Sequence, residues 1–184
     1  MIAASDWSRD GRFLVFHKSP SGSAPWSLWV LPLFGERKPF LYKGSSADTM
    51  AGRLSPNGRW LAYSTNESGA YQIVVQPFPE PAGGKWQVSG NGGTFPVWRP
   101  DGREIYYLTP SAELVAVSVN ADSTFAVGKS TTLFRAPSSI AVLGSPYEAA
   151  ADGQRFLFAV PPANAIPPMT MVLNWTSLAT NKDR

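Results

Sequence analysis

His17 is the residue from which any catalytic reading of this chain must start. It is the single histidine in 184 residues, and there is no cysteine. An imidazole titrates near neutrality and serves as a general base, but one alone cannot build a multi-histidine metal site. The absence of cysteine excludes a disulfide framework and any thiolate-held zinc or iron–sulfur centre. A serine hydrolase of the nucleophile-elbow type needs Gly-x-Ser-x-Gly followed by an acid and a histidine; no such pentapeptide occurs, and no histidine follows residue 17. Gly128-Lys129-Ser130 has the ending of a phosphate loop, but Ser123 stands where the pattern requires glycine, and Thr131-Thr132-Leu133-Phe134 reads as a strand rather than the helix a phosphate needs. It is read as a turn between two strands, and Gly90-Asn91-Gly92-Gly93 as a loop of the same kind.

These residues sit on an internal repeat, and the repeat decides the architecture. Asp10-Gly11, Asn57-Gly58, Asp101-Gly102 and Asp152-Gly153 recur at intervals of 47, 44 and 51 residues. Ser55-Pro56-Asn57-Gly58 and Arg99-Pro100-Asp101-Gly102 are turn sequences: proline presets its own φ, the Asn or Asp tolerates the bend, and glycine takes positive φ. The side-chain oxygens at this position lie on separate repeats, whereas calcium loops gather their ligands within a dozen residues, so a turn role accounts for them. After each glycine the third residue is Leu14, Leu61, Ile105 or Phe156, and the fifth is Phe16, Tyr63, Tyr107 or Phe158. That alternation marks strands, and the intervening Val15, Ala62, Tyr106 and Leu157 predict burial on both faces, as when sheets stack on sheets. His17 falls six residues after its glycine, where the sister repeats carry Ser64, Leu108 and Ala159; a position so tolerant reads as structural.

Third strands are predicted over 27–33, 71–78, 113–120 and 169–176, and outer strands over 38–43, 85–89 and 131–135. The fold class is therefore all-β: a β-propeller of about four blades, at 3–44, 50–92, 94–136 and 145–178, the fourth lacking its outer strand. Seventeen prolines and sixteen glycines fit this, since both weaken helix interiors. Ser55-Pro56-Asn57-Gly58-Arg59-Trp60-Leu61-Ala62-Tyr63-Ser64 and Pro96-Val97-Trp98-Arg99-Pro100-Asp101-Gly102 resemble the WD40-like repeat of TolB-type β-propellers. Leu173-Asn174-Trp175 is similar to the end of propellers fused to bacterial serine/threonine kinases. The resemblance implies a non-catalytic scaffold for binding or sensing, of bacterial origin and periplasmic or extracytoplasmic, with a cytoplasmic site left open. Its alternative is an accessory propeller of a serine/threonine kinase or of a prolyl-oligopeptidase-type peptidase. TolB-like propellers have six or more blades, so this module is expected to be part of a larger propeller or to self-associate.

Propellers bind at their loop ends and channels, and a protein partner or small ligand is expected there. Trp26 follows Ser21-Gly22-Ser23-Ala24-Pro25 in the first such loop, where an exposed aromatic would make a contact residue. Asp6, Arg53 and Glu148 share one inner-strand position with Val97; they either edge the channel or pair with one another between blades. No cofactor and no metal site is expected. The net charge of +3 is spread singly, with Arg37-Lys38 the one adjacent basic pair, which argues against nucleic acid. Membrane insertion is not expected either: the apolar region 156–173 is cut by Pro161, Pro162, Pro167 and Pro168, and residues 1–6 carry no signal-peptide pattern.

Overall fold

The computed structural model describes residues 1–20, 24–44, 46–137 and 145–160. Within them every regular element is a strand. β1 (Ile2–Trp7), β2 (Phe13–Lys18), β3 (Ser27–Pro32) and β4 (Phe40–Lys43) form blade 1; β5 (Thr49–Leu54), β6 (Trp60–Thr65), β7 (Gln72–Pro77) and β8 (Trp86–Gln87) form blade 2. β9 (Thr94–Trp98), β10 (Glu104–Leu108), β11 (Glu113–Asn120) and β12 (Ala126–Arg135) form blade 3, and β13 (Tyr147–Ala149) pairs with β14 (Phe156–Phe158) in blade 4. Each sheet is an antiparallel meander in chain order. The third strand expected over 169–176, the proline-cut stretch from 161 to 168 and Leu173-Asn174-Trp175 lie outside the described residues.

The four Asx-Gly turns are built alike because the same groups recur. The glycine N–H donates to the carbonyl three residues earlier, at 2.9 Å for Gly11, Gly58, Gly102 and Gly153. The preceding Asp or Asn accepts the N–H two residues on: Asp10 from Arg12, Asn57 from Arg59, Asp101 from Arg103 and Asp152 from Gln154, at 2.9–3.1 Å. Those oxygens are thus spent within their own turns. Gly58 and Gly102 hold φ of +69° and +76°, the region that side chains resist.

Alternation then divides each second strand between two interfaces. Leu61 and Tyr63 pack with Val15, Leu28, Val30 and Tyr42 of blade 1, while Trp60 and Ala62 pack with Trp98, Ile105 and Tyr107 of blade 3. All of β6 is buried, and nearly all of β10. Full burial of one such side chain stabilises by about 1.5–3 kcal/mol. In blades 1 and 4 the expectation of two buried faces fails, because only one face meets a neighbour among the described residues: in β2 only Val15 is buried, and in β14 none is. Phe156 and Phe158 sit inside the blade 3–4 interface against Tyr106, Phe134 and Tyr147, leaving Leu157 outside.

One other element departs from the sequence expectation. Gly128-Lys129-Ser130 is not a turn but part of the long strand β12, at a bulge between Val117 and Val119 of the partner strand. Ser118 fills the bulge, its Oγ accepting the Lys129 N–H at 2.9 Å and donating to the Lys129 carbonyl at 3.2 Å. A Cβ on residue 128 would come within 2.5 Å of that Oγ, so the glycine serves close approach rather than phosphate.

The turns give the first test. Gly58→Val and Gly102→Val should each cost about 1–3 kcal/mol, because a Cβ meets nothing within 4 Å at 58 and only Pro56 at ordinary contact distance at 102, which leaves backbone strain as the main penalty. Equilibrium denaturation should show the loss, with Gly58→Asn, which tolerates this region, losing less. Unchanged midpoints for both valine variants would contradict the turn geometry.

Candidate functional site

The inner strands β1, β5, β9 and β13 line the channel, and a bulge interrupts each of the first three, at Ala4/Asp6, Met50/Arg53 and opposite Tyr106/Leu108. Ala51 and Phe95, at φ of +53° and +55°, mark the bulged backbone of β5 and β9. Such a bulge re-aims the residues that follow it, which here are Asp6, Arg53 and Val97.

Arg53 pairs with Asp6 and Glu148 between blades, and all three also line a cavity there. Arg53 of blade 2 reaches Asp6 of blade 1 (Nη1–Oδ1 3.6 Å) and, through Nη2, Glu148 and Ser145 at the start of blade 4. Asp6 also accepts the Leu54 N–H at 2.7 Å. Burial raises the Asp6 carboxyl above its ordinary value, against the opposing pull of the Leu54 N–H and Arg53. On one side of this bridge is a cavity of about 200 Å³ lined by Asp6, Trp7, Ser8, Arg9, Arg53 and Glu148, among others. On the other side is a much smaller space bounded by Ser5, His17, Ala51, Phe95 and Ser145. Arg53 therefore divides the channel.

His17 faces that smaller space. Its Nδ1 lies 3.1 Å from Ser5 Oγ and its ring meets Trp26 edge-on at 5.0 Å. Burial holds its pKa below the ordinary imidazole value. Trp26 is half-buried rather than exposed: its backbone N–H donates to Asp48 Oδ1 (2.9 Å), and its carbonyl accepts from Thr49 (2.8 Å).

Asp48 was not marked by any motif, yet it organises this end of the module. Its Oδ2 accepts the Tyr71 hydroxyl at 2.7 Å, and its N–H donates to Asn66 Oδ1 at 2.7 Å. One carboxylate thus joins the Trp26 loop of blade 1 to the 66–71 loop of blade 2. Burial first, and Asp48 second, push the Tyr71 phenol up to about 12. The only sequence signal was an acid in the connection between an outer and an inner strand.

No family model matches the chain, and no curated protein does. Solved structures do. TolB from Acinetobacter baumannii superposes with a TM-score of 0.65 at 20% identity, over 88% of this chain and 38% of that one. A protein assigned as TolB in Agrobacterium tumefaciens gives 0.64 at 15% identity, over 86% and 58%. The fold is that of the TolB β-propeller. The periplasmic gluconolactonase of Pseudomonas aeruginosa shares the architecture more distantly, with a TM-score of 0.50 at 20% identity over 80% and 47%. The chain spans well under two thirds of each of these proteins, so the TolB-like fold is present here as a partial propeller.

Two outcomes check the site. Arg53→Met strands the half-buried Asp6 and should cost about 1–3 kcal/mol, with less than additive loss when combined with Asp6→Asn; strict additivity would show that the bridge carries no coupling. Because the folded pKa of His17 lies below its unfolded value of 6.5, the unfolded chain binds the proton first. The stability from keeping His17 neutral is complete above 6.5 and is lost as pH falls toward the folded pKa. Melting from pH 7 to 5.5 should therefore destabilise the wild type more than His17→Gln, and parallel curves would contradict burial of the ring.

Proposed function

We propose that this module is a non-catalytic binding or sensing scaffold that takes a polar group of a protein partner or small ligand at the channel and its adjoining loop end, outside the cytoplasm. The observation that carries this reading is the cavity of about 200 Å³ beside the Asp6–Arg53–Glu148 bridge. Arg53 and Arg9 offer donors there, and the exposed Glu148 carboxylate offers acceptors, so the lining suits a ligand with both. Trp26 and Asp48 support a partner at the opposite end, where an aromatic edge sits on a braced loop.

Against catalysis, His17 is packed under Trp26 and hydrogen-bonded to Ser5, and its repeat position accepts Ser, Leu and Ala. The location outside the cytoplasm is supported by the resemblance to TolB and by the periplasmic lactonase neighbour. No helix among the described residues is long and apolar enough to cross a membrane. The role of accessory propeller to a kinase or peptidase rests on resemblance alone, through residues 173–175 for the kinase.

The lactonase neighbour makes a sugar lactone the substrate to try beside peptides and esters. None should be turned over above the buffer rate. Turnover abolished by His17→Ala and retained by Lys38→Ala would overturn the scaffold reading. Binders selected from a library of short charged peptides should lose affinity about tenfold with Glu148→Gln or Trp26→Ala. Binders indifferent to both substitutions would remove the channel and loop end from the proposal.

A further inference from the structure

The seam between blades 1 and 2 changes character along its length. Tyr63 and Val74 are cross-strand partners on the face of blade 2 that packs against blade 1. One row further along, Thr65 pairs with Gln72, and on the outer side Val74 pairs with Gln87. Side chains on one face of a strand recur every second residue, so Thr65, Gln72 and Gln87 also look toward blade 1. There the apolar packing gives way to a cleft of about 420 Å³. Thr65 and Val74, 2% and 3% exposed, line it together with the more accessible Gln72, Gln87, Glu67 and Lys85. It shares no lining residue with the channel cavity.

The charges of the cleft are matched among themselves. Glu67 takes Lys43 Nζ of blade 1 at Oε1 (3.1 Å) and Lys85 Nζ at Oε2. The Lys85 hydrogen bond first, with Lys43 adding to it against burial, holds the Glu67 carboxyl below its ordinary value. Neutral groups are what remain for a ligand. The buried Ser89 anchors both amides: its hydroxyl donates to Gln72 Oε1 at 2.5 Å, and its carbonyl accepts from Gln87 Nε2 at 2.9 Å. Among the described residues the Gln72 Nε2 donors and the Gln87 Oε1 acceptor have no partner. Thr65 Oγ1 accepts the Glu67 N–H at 3.4 Å, which leaves its O–H to donate. Each amide is thus fixed at one end and free at the other.

We propose that this cleft binds a neutral carbohydrate, held through its hydroxyl groups by Gln72, Gln87 and Thr65. A hydroxyl both donates and accepts, which suits free amide donors beside a free amide acceptor. A phosphate or carboxylate would instead meet Glu67 and Gln87 Oε1, neither of which can donate to it. A flat heteroaromatic ligand or an apolar peptide side chain would find Val74 as its one large apolar wall and no aromatic ring. The volume lies within the range of small-molecule sites. The inference rests on the seam between blades 1 and 2 and is independent of the binding role given to the channel.

Fluorescently labelled protein on an array of neutral and acidic glycans tests it. The wild type should bind at least one neutral glycan, and the same glycan free in solution should compete. Gln87→Leu removes the free acceptor from an exposed position, so it should keep the parent circular dichroism spectrum. It should weaken binding at least about tenfold, the scale of one lost hydrogen bond that leaves its partner unpaired. Gln72→Leu should weaken it similarly, whereas Lys38→Ala, on the exposed loop before β4, should bind like the wild type. Three results would overturn the proposal. The first is a wild type that binds no neutral glycan. The second is a glycan that Gln87→Leu holds as tightly as the wild type does. The third is binding confined to acidic glycans, which would make Lys43 and Lys85 an anion site instead.

Discussion

Sheet-on-sheet packing through strictly alternating side chains is the constraint on which the rest of this molecule depends. In β6, Trp60 and Ala62 belong to one interface and Leu61 and Tyr63 to the next. A shift of one residue in register would exchange the two sets. The Asx-Gly turns hold that register, because each fixes where the second strand begins relative to the inner one. Where a neighbour packs on each side, the strand is buried on both; where the described residues supply none, the same pattern leaves Trp7 and Leu157 exposed.

Polar groups act on this frame as clips, not as its source. Arg53 ties the inner strands of blades 1, 2 and 4 across the channel, and Asp48 ties two loops at the other end. Tyr147, fully buried, donates its hydroxyl to the Phe95 carbonyl of blade 3 at 2.9 Å. The Tyr147 clip satisfies a group that blade packing has removed from water, and the cavity remains where the clips do not fill it.

Much of this was legible in the sequence because it is local or periodic. The turns are set by residues within five positions of one another, and the strands by alternation, so the propeller and the two-sided burial of β6 and β10 followed directly. The bulges of β1, β5 and β9 carry no comparable mark; Ala51 and Phe95 are ordinary residues in an unusual backbone region. The Gly128 bulge looked like a turn because its partner, Ser118, lies ten residues away on another strand. Leu157 was expected to be buried like its repeat equivalents and is not, because alternation gives two faces without saying whether each meets a neighbour. Asp6, Arg53 and Glu148 could be narrowed to one repeat position, but the bridge they form depends on three blades in space.

One comparison tests most directly whether blade-on-blade burial governs this fold. Trp98 and Trp7 occupy the same repeat position, and they differ in whether a preceding blade covers them. Equilibrium unfolding of Trp98→Ala and Trp7→Ala, measured at concentrations too low for association, isolates that difference. Trp98→Ala should lose about 3–5 kcal/mol, as for a buried tryptophan, and Trp7→Ala no more than about 0.5 kcal/mol. Equal losses at the two positions would contradict the account.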